Sequence, residues 1–109
     1  VAWFGCAVPP SRVTGPVDAH AGRTETAILL ALDPSVVRAD ALEPGNPAPL
    51  AELLPTLLRG GVAAVSPNGV LGDPRGATAE EGEELLTIMV GQLRERLARW
   101  QPDDRGRLS

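Results

Sequence analysis

The sequence predicts an α/β layered fold with mostly parallel strands. Three observations carry that prediction: two short apolar runs at residues 1–8 and 62–65, three longer stretches with helical spacing, and Pro/Gly-rich connections that separate them. Strands alternating with helices of this length are the pattern of helices laid against a parallel sheet.

The first run, VAWFGCAV, is apolar with small residues mixed in. Pro9-Pro10 ends it, because proline donates no N–H to a ladder and restricts the residue before it. A strand apolar on both faces needs neighbours to cover it. With no initiator Met ahead of it, the chain reads as the C-terminal part of a longer domain. Residues 9–18 form a Pro/Ser/Gly/Thr-rich loop, longer than the usual connection of about 2–6 residues and for that reason a candidate for function.

Helical spacing follows, with Ala21, Ile28, Leu29 and Leu32 on one side and a stop at Asp33-Pro34. A short helical turn at 35–37 leads into the connection ALEPGNPAP. Leu50, Leu53, Leu54, Leu57 and Leu58 then repeat at threes and fours, and Gly60-Gly61 supplies the stop. Pro55 inside this run is expected to kink the helix or split it in two. VAAV at 62–65 is too short for a helix and reads as a buried strand, followed by the turn SPNG. The last helix is the clearest: Thr78 and Glu81 form a T-x-x-E capping box, and Leu86, Met89 or Val90, Leu93, Leu97 and Trp100 mark one apolar face before Pro102. Residues 1–101 thus read as part of one domain, and 102–109 as a frayed polar tail.

Composition bounds the function. At 109 residues, 43% hydrophobic and 22% charged, the chain is globular rather than disordered. A net charge of −4, with the arginines scattered among acids, argues against nucleic-acid partners. A single Cys6 forms no internal disulfide or thiolate cluster and reads as a small buried hydrophobe. No run approaches a membrane span and no signal sequence is visible, so the expected location is cytoplasmic with no membrane partner.

The candidate chemistry centres on His20, the only histidine, just ahead of a helix start. Taken alone, such a histidine is more often structural or at the surface than catalytic. Its neighbours favour function: Asp18 and Glu25 offer carboxylates to orient an imidazole, Ala21-Gly22 lets a ligand approach closely, and the helix start offers free N–H donors. His20 and Glu25 are the catalytic candidates, Asp18 and Gly22 the substrate contacts. Glu25 also has a simpler explanation, since an acid in a first helical turn is favoured by the helix dipole. Glu80 and Glu81 are assigned to capping, and Asp73 to a turn in which it bonds its own backbone two residues on. One His and one Cys cannot build a catalytic metal site alone, so no metal ligand is assigned. No phosphate-binding loop or nucleophile elbow is present.

The stretch DAHAGRTET, its apolar helix and D-P stop, and then GVAAVSPNGVLGDPRGATAEEGEELL together resemble the C-terminal half of the creatininase family of metal-dependent amidohydrolases. The match runs from about residue 18 to the end of the last helix. The R-T-E-T variant and the run VSPNGVLGDPRGA are most similar to a peptidase subgroup of that family.

The resemblance implies a three-layer α/β/α hydrolase, here only its C-terminal part, that forms homo-oligomers and carries a divalent metal: zinc, iron or manganese. The ligands would come chiefly from an upstream half. The histidine of the H-A-G-x-x-E-T segment is expected beside the metal, protonating the departing amine after metal-activated water attacks an amide carbonyl; that role falls on His20. Glu25 matches the motif's acid and would support the site from the helix start. Ala27 stands where the family usually has Ser, and GDPRGATAEEG matches a segment that joins a strand to the last helix.

For the subgroup, the implied reaction is cleavage near the C-terminus of a modified precursor peptide, releasing a dipeptide-derived unit. Two alternatives stay open: a sibling enzyme acting on a cyclic or formyl amide such as creatinine, and a truncated, non-catalytic packing or oligomerisation module. On this reading the isolated 109 residues bind no metal tightly and hydrolyse nothing.

Overall fold

Helix-favouring periodicity dominates the chain, and helices dominate its structure. The computed structural model describes residues 2–5 and 18–108. Cys6, the end of the expected first strand and nearly all of the 9–18 loop lie outside the described residues. Three helices carry the fold: α1 at Arg23–Leu32, α2 at Leu50–Gly60 and α3 at Ala79–Arg99. Short 3-10 turns at Pro34–Val36, Ala39–Ala41 and Val62–Ala64 connect them.

The described residues contain no strand. Backbone pairing between segments reduces to isolated bridges, parallel between Trp3 and Arg107 and antiparallel for His20–Leu71 and Pro102–Leu108. VAAV is a 3-10 turn. Gly61, at φ 71, redirects the chain, and the N–H groups of Val65 and Ser66 both return to the Val62 carbonyl at 3.0 and 2.9 Å. Groups that a ladder would have paired are satisfied locally instead.

Asparagine side chains do the cross-linking that a sheet would have done. Asn46 donates to the Val65 carbonyl at 2.8 Å and Asn68 to the Pro44 carbonyl at 3.0 Å. Backbone bonds from Gly45 to Gly72 and from Asn46 to Val70 run alongside. The SPNG turn closes as expected, Gly69 donating to Ser66 at 3.0 Å with φ 82.

Helix α1 packs on α3, with Gly82 set against Ala27 and Ala31. A Cβ built there lands on the Ala27 carbonyl and 2.8 Å from the Ala31 Cβ. The buried residues of the pair are Thr26, Ala27, Gly82 and Leu85. This corrects the expected stripes. Leu29 and Leu32 are largely exposed, and along α3 Leu86, Met89 and Leu93 are half-buried while Leu97 and Trp100 are exposed. Length explains part of the difference: at about 1.5 Å per residue, α1 is about 15 Å long and α3 about 31 Å. The shorter helix covers only half of the longer.

Pro55 does not split α2, which runs unbroken from Leu50 to Gly60. The carbonyl of Ala51, left without its usual donor by Pro55, lies on an exposed residue. Leu53 is the buried leucine of this helix. In residues 102–108 Asp103 accepts the N–H groups of Arg105 and Arg107, the Leu108 N–H donates to the Trp3 carbonyl, and Leu108 is 3% exposed.

The capping box is present in full, Thr78 Oγ1 accepting from Glu81 N at 3.2 Å and Glu81 Oε2 accepting from Thr78 N at 3.1 Å. Thr78→Ala is expected to cost about 1 kcal/mol, read as a lowered denaturation midpoint. An unchanged midpoint would mean that the helix start is held by its packing alone.

Candidate functional site

The site is assembled where the DAHAGRTET and VLGDPRGA segments meet. His20 bridges Leu71: Leu71 N–H donates to the His20 carbonyl at 2.8 Å, and Ala19 N–H donates to the Leu71 carbonyl at 2.8 Å. Asp18 lies between two glycines. A Cβ on either Gly22 or Gly72 would collide with its side chain, so the sequence needs glycine at both positions for this approach. The Asp18 carboxylate accepts the Thr24 N–H and the Thr24 hydroxyl, each at 2.8 Å. It caps α1 from outside, a role that the sequence assigned to no residue.

His20 stands on the exposed side of this junction, its side chain 55% accessible and its Nδ1 3.9 Å from Glu25 Oε2. That is an ion-pair separation rather than a hydrogen bond. The shorter contact of Glu25 is to the Ala21 N–H. Ala21 has φ 51, a left-handed conformation unfavourable for a residue with a Cβ, and the Glu25 carboxylate holds it there. Glu25 therefore fixes the backbone that carries His20. Gly22, buried, is the N-cap residue of α1.

A groove of about 370 Å³ opens beside this pair. One wall is α1, through Glu25, Thr26 and Leu29; the other is the 36–43 segment, through Val37, Arg38, Leu42 and Glu43. The volume falls within the range of about 300–1,000 Å³ typical of ligand sites. Of the four residues singled out from the sequence, His20 and Glu25 line this groove, while Asp18 and Gly22 build the turn behind it.

Sequence reading missed three contributors. Arg23 donates to Glu81 Oε1 from Nε at 3.0 Å and Nη2 at 2.8 Å, tying the start of α1 to the start of α3. Glu81 thus caps α3 and anchors α1 at once. The arginine of R-T-E-T was the available signal. Thr24, the acceptor's partner for Asp18, and the Arg38–Glu43 wall carried no local pattern at all.

Asp73 behaves as the turn residue expected, accepting from Arg75 N at 3.0 Å. The Arg75 guanidinium also grips it, at 2.9 and 2.8 Å. These side-chain bonds, then the backbone bond, hold its carboxyl at about 2, against an ordinary 3.8. A lowered value means that the turn's ionic support is complete above the ordinary value and is lost as pH falls through about 2. A carboxyl-carbon titration by NMR should give that midpoint; one near the ordinary value would mean that the fork is not formed.

The Creatininase family model, described as creatinine amidohydrolase, matches residues 6–97. The chain belongs to the creatininase family. Within that family it is similar to proteins named mycofactocin precursor peptide peptidase. The one from Mycobacterium ulcerans is 60% identical over 92 residues, which is 84% of this chain and 37% of the relative. The one from Mycolicibacterium smegmatis is 51% identical over 107 residues, 98% of this chain and 41% of the relative. The one from Mycobacterium tuberculosis strain H37Rv is 49% identical over 107 residues, 98% of this chain and 40% of the relative. The chain therefore spans about two fifths of the length of the curated relatives it matches. No solved structure matches it.

Creatininase membership raises the question of a metal. Among the described residues no three His, Cys, Asp or Glu side chains come together to hold one. The Asp18 oxygens accept from Thr24 and those of Asp73 from Arg75, while His20 Nδ1 lies 3.9 Å from Glu25 Oε2. Ala27 is 1% exposed and pressed against α3, on the buried side of α1. No helix among the described residues is long and apolar enough to cross a membrane.

Proposed function

We propose that this chain supplies the His20–Glu25 part of the active site of a mycofactocin precursor peptide peptidase, which hydrolyses a peptide bond near the C-terminus of the modified precursor. The observation that carries it is the placement of an accessible imidazole on the wall of an open groove, with its backbone braced by an acid from the adjoining helix. The shared name of relatives 49–60% identical to the chain supports the substrate class.

In this reading His20 is the general acid. When the carbonyl–nitrogen bond of the substrate breaks, the electron pair stays on nitrogen and the imidazole proton goes to it, so that the amine leaves neutral. Glu25 keeps the ring at the groove by holding Ala21, and Asp18 keeps the helix start in register through Thr24. A divalent metal, zinc, iron or manganese, belongs to this reading as a group held by other polypeptide. The three-layer α/β/α architecture, a cytoplasmic location and homo-oligomer formation belong to the same proposal.

The test is replacement of His20 in the full-length protein, with peptide turnover and metal content measured separately. Loss of turnover alone supports the general-acid role. Equal loss of both would make His20 a ligand, and loss of neither would remove it from the site. Hydrolysis of creatinine in preference to the peptide would favour the sibling amidohydrolase.

A further inference from the structure

Behind the groove, the starts of α1 and α3 and the loop at 73–77 meet, and the Arg23 side chain stands where they do. Arg23 is the first residue of α1. Its Nε and Nη2 donate to Glu81 Oε1 at 3.0 and 2.8 Å, so one edge of the guanidinium converges on a single oxygen. The other oxygen of Glu81 accepts the Thr78 N–H at 3.1 Å and closes the cap of α3. The remaining nitrogen, Nη1, lies 3.3 Å from where a Cβ on Gly76 would stand, in the loop that carries Pro74 into the groove lining. In the same loop the side-chain and backbone bonds from Arg75 lower the Asp73 carboxyl, and the Arg23 charge adds to them.

From Arg23 the path to the imidazole is short. Glu25, two residues on, holds the Ala21 N–H in its left-handed turn, and Ala21 follows His20 directly. On its other side the His20 backbone is bridged to Leu71, two residues before Asp73. Where His20 stands is therefore set by how the first turn of α1 meets the 71–76 segment, and Arg23 spans that meeting. The packing of α1 on α3 at Ala27, Ala31 and Gly82 lies about one to two turns further along. An ion pair such as Arg23–Glu81, its side chains 29% and 27% accessible, contributes little to net stability. What it supplies is direction, because the donors of a guanidinium are fixed in one plane.

We infer that Arg23 is a positioning residue for peptide hydrolysis: by tying the first turn of α1 to Glu81 and to the 73–76 loop, it sets where the His20 imidazole stands. This rests on the reading of His20 as general acid and adds to it a residue that does not line the groove. Proton transfer to a departing nitrogen requires hydrogen-bond reach, and a displacement of about 1 Å lowers such a rate by about 100-fold. Loosening the first turn of α1 moves Glu25, Ala21 and His20 together, so the acid leaves its place while the groove walls stay.

The experiment uses the full-length protein and its modified precursor peptide, with kcat, KM, Tm and metal content measured for each variant. Arg23→Ala should lower kcat about 10–100-fold, leave KM within about threefold and leave metal content at the wild-type level. Arg23→Lys, which keeps the charge and a donor, should recover part of that loss. Glu81→Gln keeps an oxygen for the Thr78 N–H but turns an amide toward Arg23, and should lower kcat by less, with Tm near wild type. The double substitution decides. In a His20→Ala background, with free imidazole added to raise the residual rate, Arg23→Ala should change kcat by less than about threefold, because the tethered group it positions is gone. Additive losses in that cycle, a loss carried by KM, or an unchanged kcat in Arg23→Ala would overturn the inference. Wild-type kcat in Glu81→Gln, with Arg23→Ala unfolded, would do the same. Undiminished turnover in His20→Ala itself would sink the general-acid reading; a diminished one, with Arg23→Ala at the wild-type rate, would sink this inference alone.

Discussion

Replacing His20 by alanine in the full-length protein is expected to lower peptide turnover by about 10²–10⁴-fold while metal content stays at the wild-type level. The magnitude is that of a positioned general acid removed from an otherwise intact site. The selectivity follows from geometry. His20 is half exposed on a groove wall, and among the described residues no cluster of donors gathers around it. Its side chain supports nothing behind it; the backbone bonds to Leu71 survive truncation at Cβ. The decrease should therefore fall on kcat, with Tm near wild type. A loss of metal in proportion to activity would be the result that overturns this assignment.

Gly82→Ala is expected to destabilise the protein by about 1–3 kcal/mol, against the ordinary rule for a helix interior. Alanine in place of glycine normally stabilises a helix by roughly 0.5–1 kcal/mol, because it restricts the unfolded chain and adds a good helix former. At Gly82 the added methyl collides with the Ala27 carbonyl, and α1 cannot retreat without loosening the Arg23–Glu81 anchor beside it. Gly91 lies in the same helix and has nothing within 4 Å of where its Cβ would stand. Gly91→Ala should thus stabilise. Opposite signs for the two substitutions, read by denaturant unfolding, would confirm the close helix crossing; the same sign for both would refute it.

Local signals in the sequence were legible where a bond is made within a few residues. The Thr78–Glu81 capping box, the SPNG turn, the Asp73 turn and the stop of α1 at Asp33-Pro34 all appear as read. Signals that depended on a distant partner were not. VAAV is composed like a strand, and a strand exists only where another backbone pairs with it; with Gly61 turning the chain, a 3-10 turn satisfies its N–H groups instead. The spacing puts Leu29 and Leu32 on one apolar side of α1, yet its buried residues are Thr26 and Ala27, where Gly82 admits α3 against the helix. The cap that Asp18 places on α1, its oxygens on Thr24, is likewise formed by a residue outside the helix.

By itself the sequence determined the three helices, the Thr78–Glu81 capping box, the SPNG and Asp73 turns and the segment that carries the family's histidine and acid, since each is written in patterns a few residues long. Only the tertiary structure decided which faces are buried, that Asp18 is held between Gly22 and Gly72, and that His20 and Arg38 share one groove. Those outcomes depend on where backbones cross at close range, and a crossing is set by the absence of a side chain on one helix opposite a carbonyl on another, which no periodicity along a single chain records.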